Sequence, residues 1–413
     1  MKKKTNTLNL TVRSDKSLTA PGHRRVVEIA IKAPTSDRVI ERPPLNLAIV
    51  IDRSGSMSGG KLEYVKQAAI FLLDNLNVKD RIAVVTYDDE ITIIEPGCQA
   101  NPAAVAVLRQ RIRQLEPGGS TNLGGGWTAG CQCVAHGMLS EGVNRVLLLT
   151  DGLANVGITD TETLGTHARE LQSRNVSTTT FGVGRDFNEH LLEHMANMGS
   201  GNFYYIESPT QIPAFFAQEF KELSTITARR VTIDVGLLDH VKCFIPGGWK
   251  VEKIDERLQV SLGDLPSGCT REIYLYLQFN ERWDASEATI KIGAHALDNE
   301  QIAIDDQAEI KFHRAEPAEV DAAPQDKELM ERFSQVYIHD RSSDALHLDR
   351  QGRFDEARAM MLDRDVQELR GFMPMAAQAD LDMLINEGIE HMTPEEAKEQ
   401  RMRMYRSKQR RQP

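Results

Sequence analysis

The sequence predicts a doubly wound α/β domain inserted in an antiparallel β-sandwich, followed by a small helical C-terminal region. Three observations carry that prediction. Between residues 45 and 224, apolar strand patterns alternate with helix patterns, which implies parallel strands joined by right-handed crossovers. From 225 to 315 the apolar period falls to two, with glycine and proline turns between the runs. Beyond RAEPAEVDAAPQ at 314–325, a Pro/Ala/acid linker, helix patterns dominate. The expected division is N-terminal sandwich strands over 1–44, the α/β domain over 45–224, the remaining sandwich over 225–315, and a linker with helices over 316–413.

Each element follows from its residues. The first 44 residues hold two strand patterns, 8–12 and 25–31. Two strands bury too little surface to stand alone, so they should pair with the later β-rich region. The α/β strands are expected at 45–51, 81–86, 91–94, 145–150, 177–183 and 202–206, with helices near 61–76, 101–115, 124–139, 161–174, 187–198 and 209–224. The 45–51 run is almost wholly apolar, as in a strand covered on both faces. Residues 80–94 read as a hairpin that adds an antiparallel edge strand. Sandwich strands are expected at 229–238, 241–245, 249–254, 258–262, 272–280, 288–296 and 301–312. The C-terminal helices should span 326–349, 353–371, 375–389 and 394–407, ending in a basic, solvated tail.

Composition narrows the function classes. The chain has 413 residues, 41% hydrophobic and 26% charged, as in ordinary globular proteins. Its 49 basic and 60 acidic residues give a net charge of −11, which argues against nucleic acid as the main partner. No apolar run is long enough to span a membrane. The opening MKKKTNTLNLTVRSD has no apolar core for a secretory signal. Cys98, Cys131, Cys133, Cys243 and Cys269 are few, odd in number and dispersed, which fits a reducing compartment. These features together place the protein in the cytoplasm.

The densest chemistry lies in 45–57, LNLAIVIDRSGSM. An apolar run ends in Asp52, and hydroxyls follow at Ser54 and Ser56. Their alternation turns three oxygens toward one point if the loop stays extended. Gly55, Gly59 and Gly60 permit the turn into the next helix. Two distant segments complete the set: Gly118-Gly119-Ser120-Thr121-Asn122, and Leu147-Leu148-Leu149-Thr150-Asp151-Gly152. Hydroxyls and carboxylates without His or Cys suit a hard divalent cation. A capped, glycine-rich turn is the bland alternative for the first segment alone.

These residues resemble the metal-ion-dependent adhesion site of von Willebrand factor A (VWA) domains. The wider layout is similar to bacterial VWA proteins and the inter-alpha-trypsin-inhibitor heavy-chain core. The resemblance implies that Ser54, Ser56 and Thr121 ligate Mg2+ (or Mn2+ or Ca2+) directly, with Asp52 and Asp151 bound closely or through water. One coordination position would be left for an Asp or Glu of a partner protein. The implied function is that of a bacterial, cytoplasmic, non-enzymatic binding or scaffold protein. The alternative is an accessory or regulatory subunit of an AAA+ ATPase or metal-chelatase-type machine.

A zinc metallohydrolase ranks third. His190-Leu191-Leu192-Glu193-His194 matches H-x-x-E-H, but both histidines are expected on the polar, solvated side of their helix. Cys131 and Cys133 lie two apart in a predicted helix and point away from each other, so they read as buried small hydrophobes. No G-x-S-x-G elbow is present, and no Gly-Lys-Ser/Thr follows the glycine runs.

Overall fold

The structure, a computed structural model, describes residues 7–35, 42–184, 186–350, 352–375, 377–378 and 381. Three strands come first: β1 (Asn9–Ser14), β2 (Leu18–Thr19) and β3 (Arg24–Lys32). A strand–helix alternation follows, with β4 (Leu45–Asp52), α1 (Lys61–Asn75), β5 (Arg81–Tyr87), β6 (Ile91–Gln99), α2 (Pro102–Arg113) and α3 (Leu123–His136). It continues through β7 (Val143–Thr150), α4 (Thr161–Ser173), β8 (Ser177–Val183), α5 (Glu189–Met198), β9 (Ser200–Ile206) and α6 (Ile212–Ser224).

These strands form one sheet in the order β6-β5-β4-β7-β8-β9. All its pairs are parallel except β5–β6, the expected antiparallel edge hairpin. Every residue of β4 and β7 is buried because helices cover both faces. Leu47, Ile49 and Ile51 pack with Val65 and Leu72 of α1, while Ala48 and Val50 pack with Trp127 and Val134 of α3. Successive strand residues point to opposite faces, so one apolar run serves two layers. Side chains just before the helices fix their starts: Asn101, Asn122, Asp160 and Asn188 each accept a backbone N–H from the first turn.

The remaining strands are β10 (Ile226–Gly236), β11 (Val241–Phe244), β12 (Lys250–Ile254), β13 (Arg257–Pro266), β14 (Thr270–Phe279), β15 (Glu287–Leu297) and β16 (Asp306–Arg314). They join the N-terminal strands in two sheets, β1-β3-β14-β11 and β12-β13-β10-β15-β16-β2. The sheets share one core, in which Val27, Ile29, Ile31, Leu275 and Leu277 meet Val231, Ile233, Ile290, Ile292 and Phe312. One pairing departs from an antiparallel sandwich: β2 runs parallel to β16. A strand of two residues carries no period-two signal.

The helical region comprises α7 (Pro317–Ala322), α8 (Lys327–Arg350), α9 (Phe354–Met361) and α10 (Arg364–Arg370). Helix α7 lies in the stretch expected to be linker. The single helix expected over 353–371 breaks at Asp363, whose side chain accepts from the Asp365 N–H and starts α10. The expected helix over 394–407 and the basic tail lie outside the described residues, as does most of 375–389. On the outer face of the four-stranded sheet, Phe333 and Tyr337 of α8 pack against Tyr276 at ring separations of 5.3 and 5.4 Å. No helix among the described residues is long and apolar enough to cross a membrane.

Candidate metal centre

Parallel strands align their carboxyl ends, and this edge collects the chemistry. Asp52 closes β4 and is 0% exposed. Its Oδ1 accepts the Ser54 N–H at 2.8 Å, and its Oδ2 accepts the Thr150 hydroxyl at 2.6 Å from the end of β7. Burial pushes the Asp52 carboxyl above its usual range, and the hydrogen bonds from Ser54 and Thr150 oppose that shift. Tyr87, fully buried beside it, has its hydroxyl 3.4 Å from the Leu149 carbonyl.

The loop after β4 is not extended throughout. Ser54 is extended, at φ −56° and ψ 166°, but Gly55–Met57 curl into one 3-10 turn. The cause is Met57, whose side chain is drawn fully into the core that α1 covers. The turn brings the Ser54 and Ser56 hydroxyl oxygens to 3.0 Å from each other. Ser56 then donates to Asp151 Oδ1 at 2.6 Å. Gly59 and Gly60, at φ +72° and +99°, complete the turn into α1 in a region that side chains disfavour.

The glycine-rich loop is stitched to the first by main-chain bonds. Gly118 N–H donates to the Arg53 carbonyl at 2.6 Å, and Gly55 N–H donates to that of Gly119 at 2.9 Å. A Cβ on Gly118 would meet the Asp88 carboxylate, which would have to leave its place beside Arg53 and the Gly119 N–H to make room. The Thr121 carbonyl accepts the N–H groups of Asn155 and Val156 at 3.0 and 3.2 Å, which ties this loop to the one after Asp151. A Cβ placed on Gly152 would lie 3.4 Å from the Ser56 hydroxyl and 3.5 Å from that of Thr121. The candidate residues Asp52, Ser54, Ser56, Thr121 and Asp151 therefore converge on one strand-end crevice.

Three residues at this edge were not singled out from sequence. Thr150 holds Asp52, and no spacing rule marks a hydrogen bond across 98 residues. Asp88, at the hairpin turn, pairs with Arg53 at 2.9 Å and accepts the Gly119 N–H at 3.2 Å. Lys61, the first residue of α1, donates from Nζ to Asp151 Oδ2 at 2.5 Å.

The donor set fits a divalent ion: two buried carboxylates and three neutral hydroxyls brought together from three loops. Among the described residues, this crevice included, no group of three or more His, Cys, Asp or Glu is placed to hold a metal, so the case for an ion here rests on hydroxyls beside two carboxylates. His190 and His194 stack at 6.2 Å, with His194 Nε2 3.8 Å from Glu162. The His194 ring leans against Gly165 of α4 and is 20% exposed, so it is packed between helices rather than solvated. Cys131 and Cys133 are buried in α3 at 2% and 6% exposure, and burial pushes the Cys131 thiol far above its usual range.

The comparisons with known proteins agree with this architecture. The model of the von Willebrand factor type A domain matches residues 46–218. The uncharacterized protein sll0103 of Synechocystis sp. is 32% identical over 309 residues, which cover 71% of this chain and 70% of that protein. The human inter-alpha-trypsin inhibitor heavy chain H3 is 28% identical over 230 residues, which cover 52% of this chain but only 26% of its own length. The von Willebrand factor type A structure from Catenulispora acidiphila shares the fold at a TM-score of 0.73 and 15% identity, over 98% of both chains. This chain belongs to the family of von Willebrand factor type A domain proteins.

Proposed function

We propose that this chain is a non-enzymatic, cytoplasmic binding or scaffold protein. It captures an Asp or Glu of a partner protein through Mg2+ (or Mn2+ or Ca2+) held by Asp52, Ser54, Ser56, Thr121 and Asp151. The observation that carries the reading is the convergence of two buried carboxylates and three hydroxyls from three loops. When bound, the ion supplies an electrophilic position for an anionic side chain. The chain's own residues do the rest. Thr150 and the Ser54 N–H orient Asp52, Ser56 is held on Asp151, and the two carboxylates are shut away from bulk water.

A single carboxylate contact needs neighbouring surface to become specific. Leu153, Val156 and Ile158 follow Asp151 in one loop and are 53%, 36% and 41% exposed. Ile91 and Ile158 both overhang the start of α3, lying within contact of a Cβ placed on Gly125 and Gly124 respectively. This aliphatic rim gives a partner segment apolar contact beside the acidic residue that it offers.

The test is affinity capture by the immobilised chain, with and without EDTA, for wild type, Thr121→Ala and the pair His190→Ala/His194→Ala. Proteins that depend on the divalent ion, that bind the histidine variant and that are lost from Thr121→Ala support the reading. Capture that survives both EDTA and Thr121→Ala moves the binding surface away from the site. Capture lost only in the histidine variant favours zinc on that pair. A co-purifying ATPase whose turnover the chain changes would make the accessory-subunit reading the better one.

A further inference from the structure

Lys61 has no local reason to stand where it does. It is the first residue of α1, and the positive end of a helix disfavours a cation. Its preceding residue, Gly60, offers no side-chain cap. Instead the lysine reaches across to the end of β7 and places Nζ 2.5 Å from Asp151 Oδ2. A Cβ on Gly184, just past β8, would lie 3.9 Å from the same nitrogen, so the ammonium group sits over the strand ends. Asp151 is 0% exposed, while the Lys61 side chain is 25% exposed and has a path to solvent. Arg53, the other nearby cation, is turned toward Asp88. Asp52 is held by neutral donors, the Ser54 N–H and the Thr150 hydroxyl. Among the described residues, Lys61 is therefore the cation found on the two buried carboxylates.

We propose that Lys61 is the internal counter-cation of the site: its ammonium group neutralises Asp151 until a divalent ion displaces it, so Lys61 sets the metal affinity. The proposal rests on the metal-binding reading above. An ammonium and a divalent ion on the two oxygens of Asp151 repel each other. Metal uptake therefore weakens or breaks the Lys61–Asp151 pair. The liberated side chain then lies at the rim of the same crevice, where an incoming carboxylate would meet it.

The experiment titrates Mg2+ into the full chain by calorimetry for wild type, Lys61→Met, Lys61→Arg and Thr121→Ala, with melting temperatures recorded with and without metal. Lys61→Met should bind Mg2+ more tightly, by up to about fivefold, the range expected for losing one partly exposed ion pair. It should melt lower than wild type without metal and gain more on adding it. Lys61→Arg keeps the charge and should stay close to wild type. Independently of any folding defect in Lys61→Met, reductively 13C-methylated wild-type chain should show the Lys61 methyl resonance moving on Mg2+ addition. Unchanged or weaker Mg2+ binding in Lys61→Met, with Thr121→Ala still losing it, overturns the proposal and leaves the metal site standing. Absence of Mg2+ binding by both wild type and Lys61→Met removes the metal reading and this proposal with it. A Lys61 resonance indifferent to bound Mg2+ also overturns the proposal.

Discussion

Asp52 is the residue on which the site turns, and its environment explains what a substitution there should do. Its two oxygens take one backbone and one hydroxyl donor, and none of that pairing requires a negative charge. Asp52→Asn can keep the Ser54 bond, and the Thr150 hydroxyl can reverse to accept. We therefore expect Asp52→Asn to abolish Mg2+ binding in calorimetry while the melting temperature stays close to wild type. Thr150→Val is the complementary change. It strands a buried carboxylate oxygen, which costs about 1–3 kcal/mol, and urea denaturation should read that loss together with weaker metal binding. The five candidate oxygens were legible in sequence because each follows an apolar strand or sits in a glycine loop. Thr150, Asp88 and Lys61 were not, because they act by holding other residues across 31 to 98 positions of chain.

At the scale of elements, the α/β strands and helices were legible to within about three residues at each end, except β6, expected over 91–94 and running on to Gln99. Their apolar periods are long, and four of the six helices, α2 to α5, start at an Asn or Asp cap. The condition placed on the loop after β4, that it stay extended, is not met beyond Ser54, since the pull of one buried side chain, Met57, has no periodic signature. The glycine loop is held as tightly as the strands. Gly118→Ala should push the loop off Asp88 and move Thr121 with it, so metal affinity should drop more than stability does. Calorimetry set against the melting temperature reads the two effects separately, and an unchanged affinity would show that the loop has slack. Strand β3 shows why alternation alone was incomplete. Val27, Ile29 and Ile31 face the sandwich core, while Val26 joins Phe333 and Tyr337 beneath α8, so both faces are covered.

At the scale of the whole molecule, two junctions tie the parts together. Arg229 of β10 reaches the carbonyls of Glu141 and Gly142, just before β7. Beneath the sheet, Glu219 of α6 accepts from Arg145 at 2.9 Å, Thr179 at 2.8 Å and Asn202 at 2.6 Å, and is wholly buried. Burial alone would raise this carboxyl, but Arg145, Asn202 and Thr179 outweigh it and hold the group below its usual range. A lowered folded-state value stabilises the fold above the ordinary carboxylate range, and that contribution is lost as the pH falls through it. Glu219→Gln leaves Arg145 buried without its anion, which should cost about 3–5 kcal/mol at pH 7. The gap between wild type and variant in urea melts should narrow toward pH 4 and below, and a gap independent of pH would contradict the assignment. The helical region is a second covering layer. Arg332 of α8 pairs with the buried Glu28 at 2.9 Å and with Glu272 at 3.4 Å. Truncation after Arg314 should bare Val26, Tyr274 and Tyr276, with lower solubility measured by light scattering.

The most direct measurement for the metal site is an anomalous difference map from crystals grown with Mn2+. One strong peak is expected at the strand ends, within direct coordination range of the Ser54, Ser56 and Thr121 hydroxyls, with the Lys61 ammonium withdrawn from Asp151. A fully occupied peak at His190 and His194, or a strand-end crevice with no peak and Lys61 still seated on Asp151, would contradict that expectation.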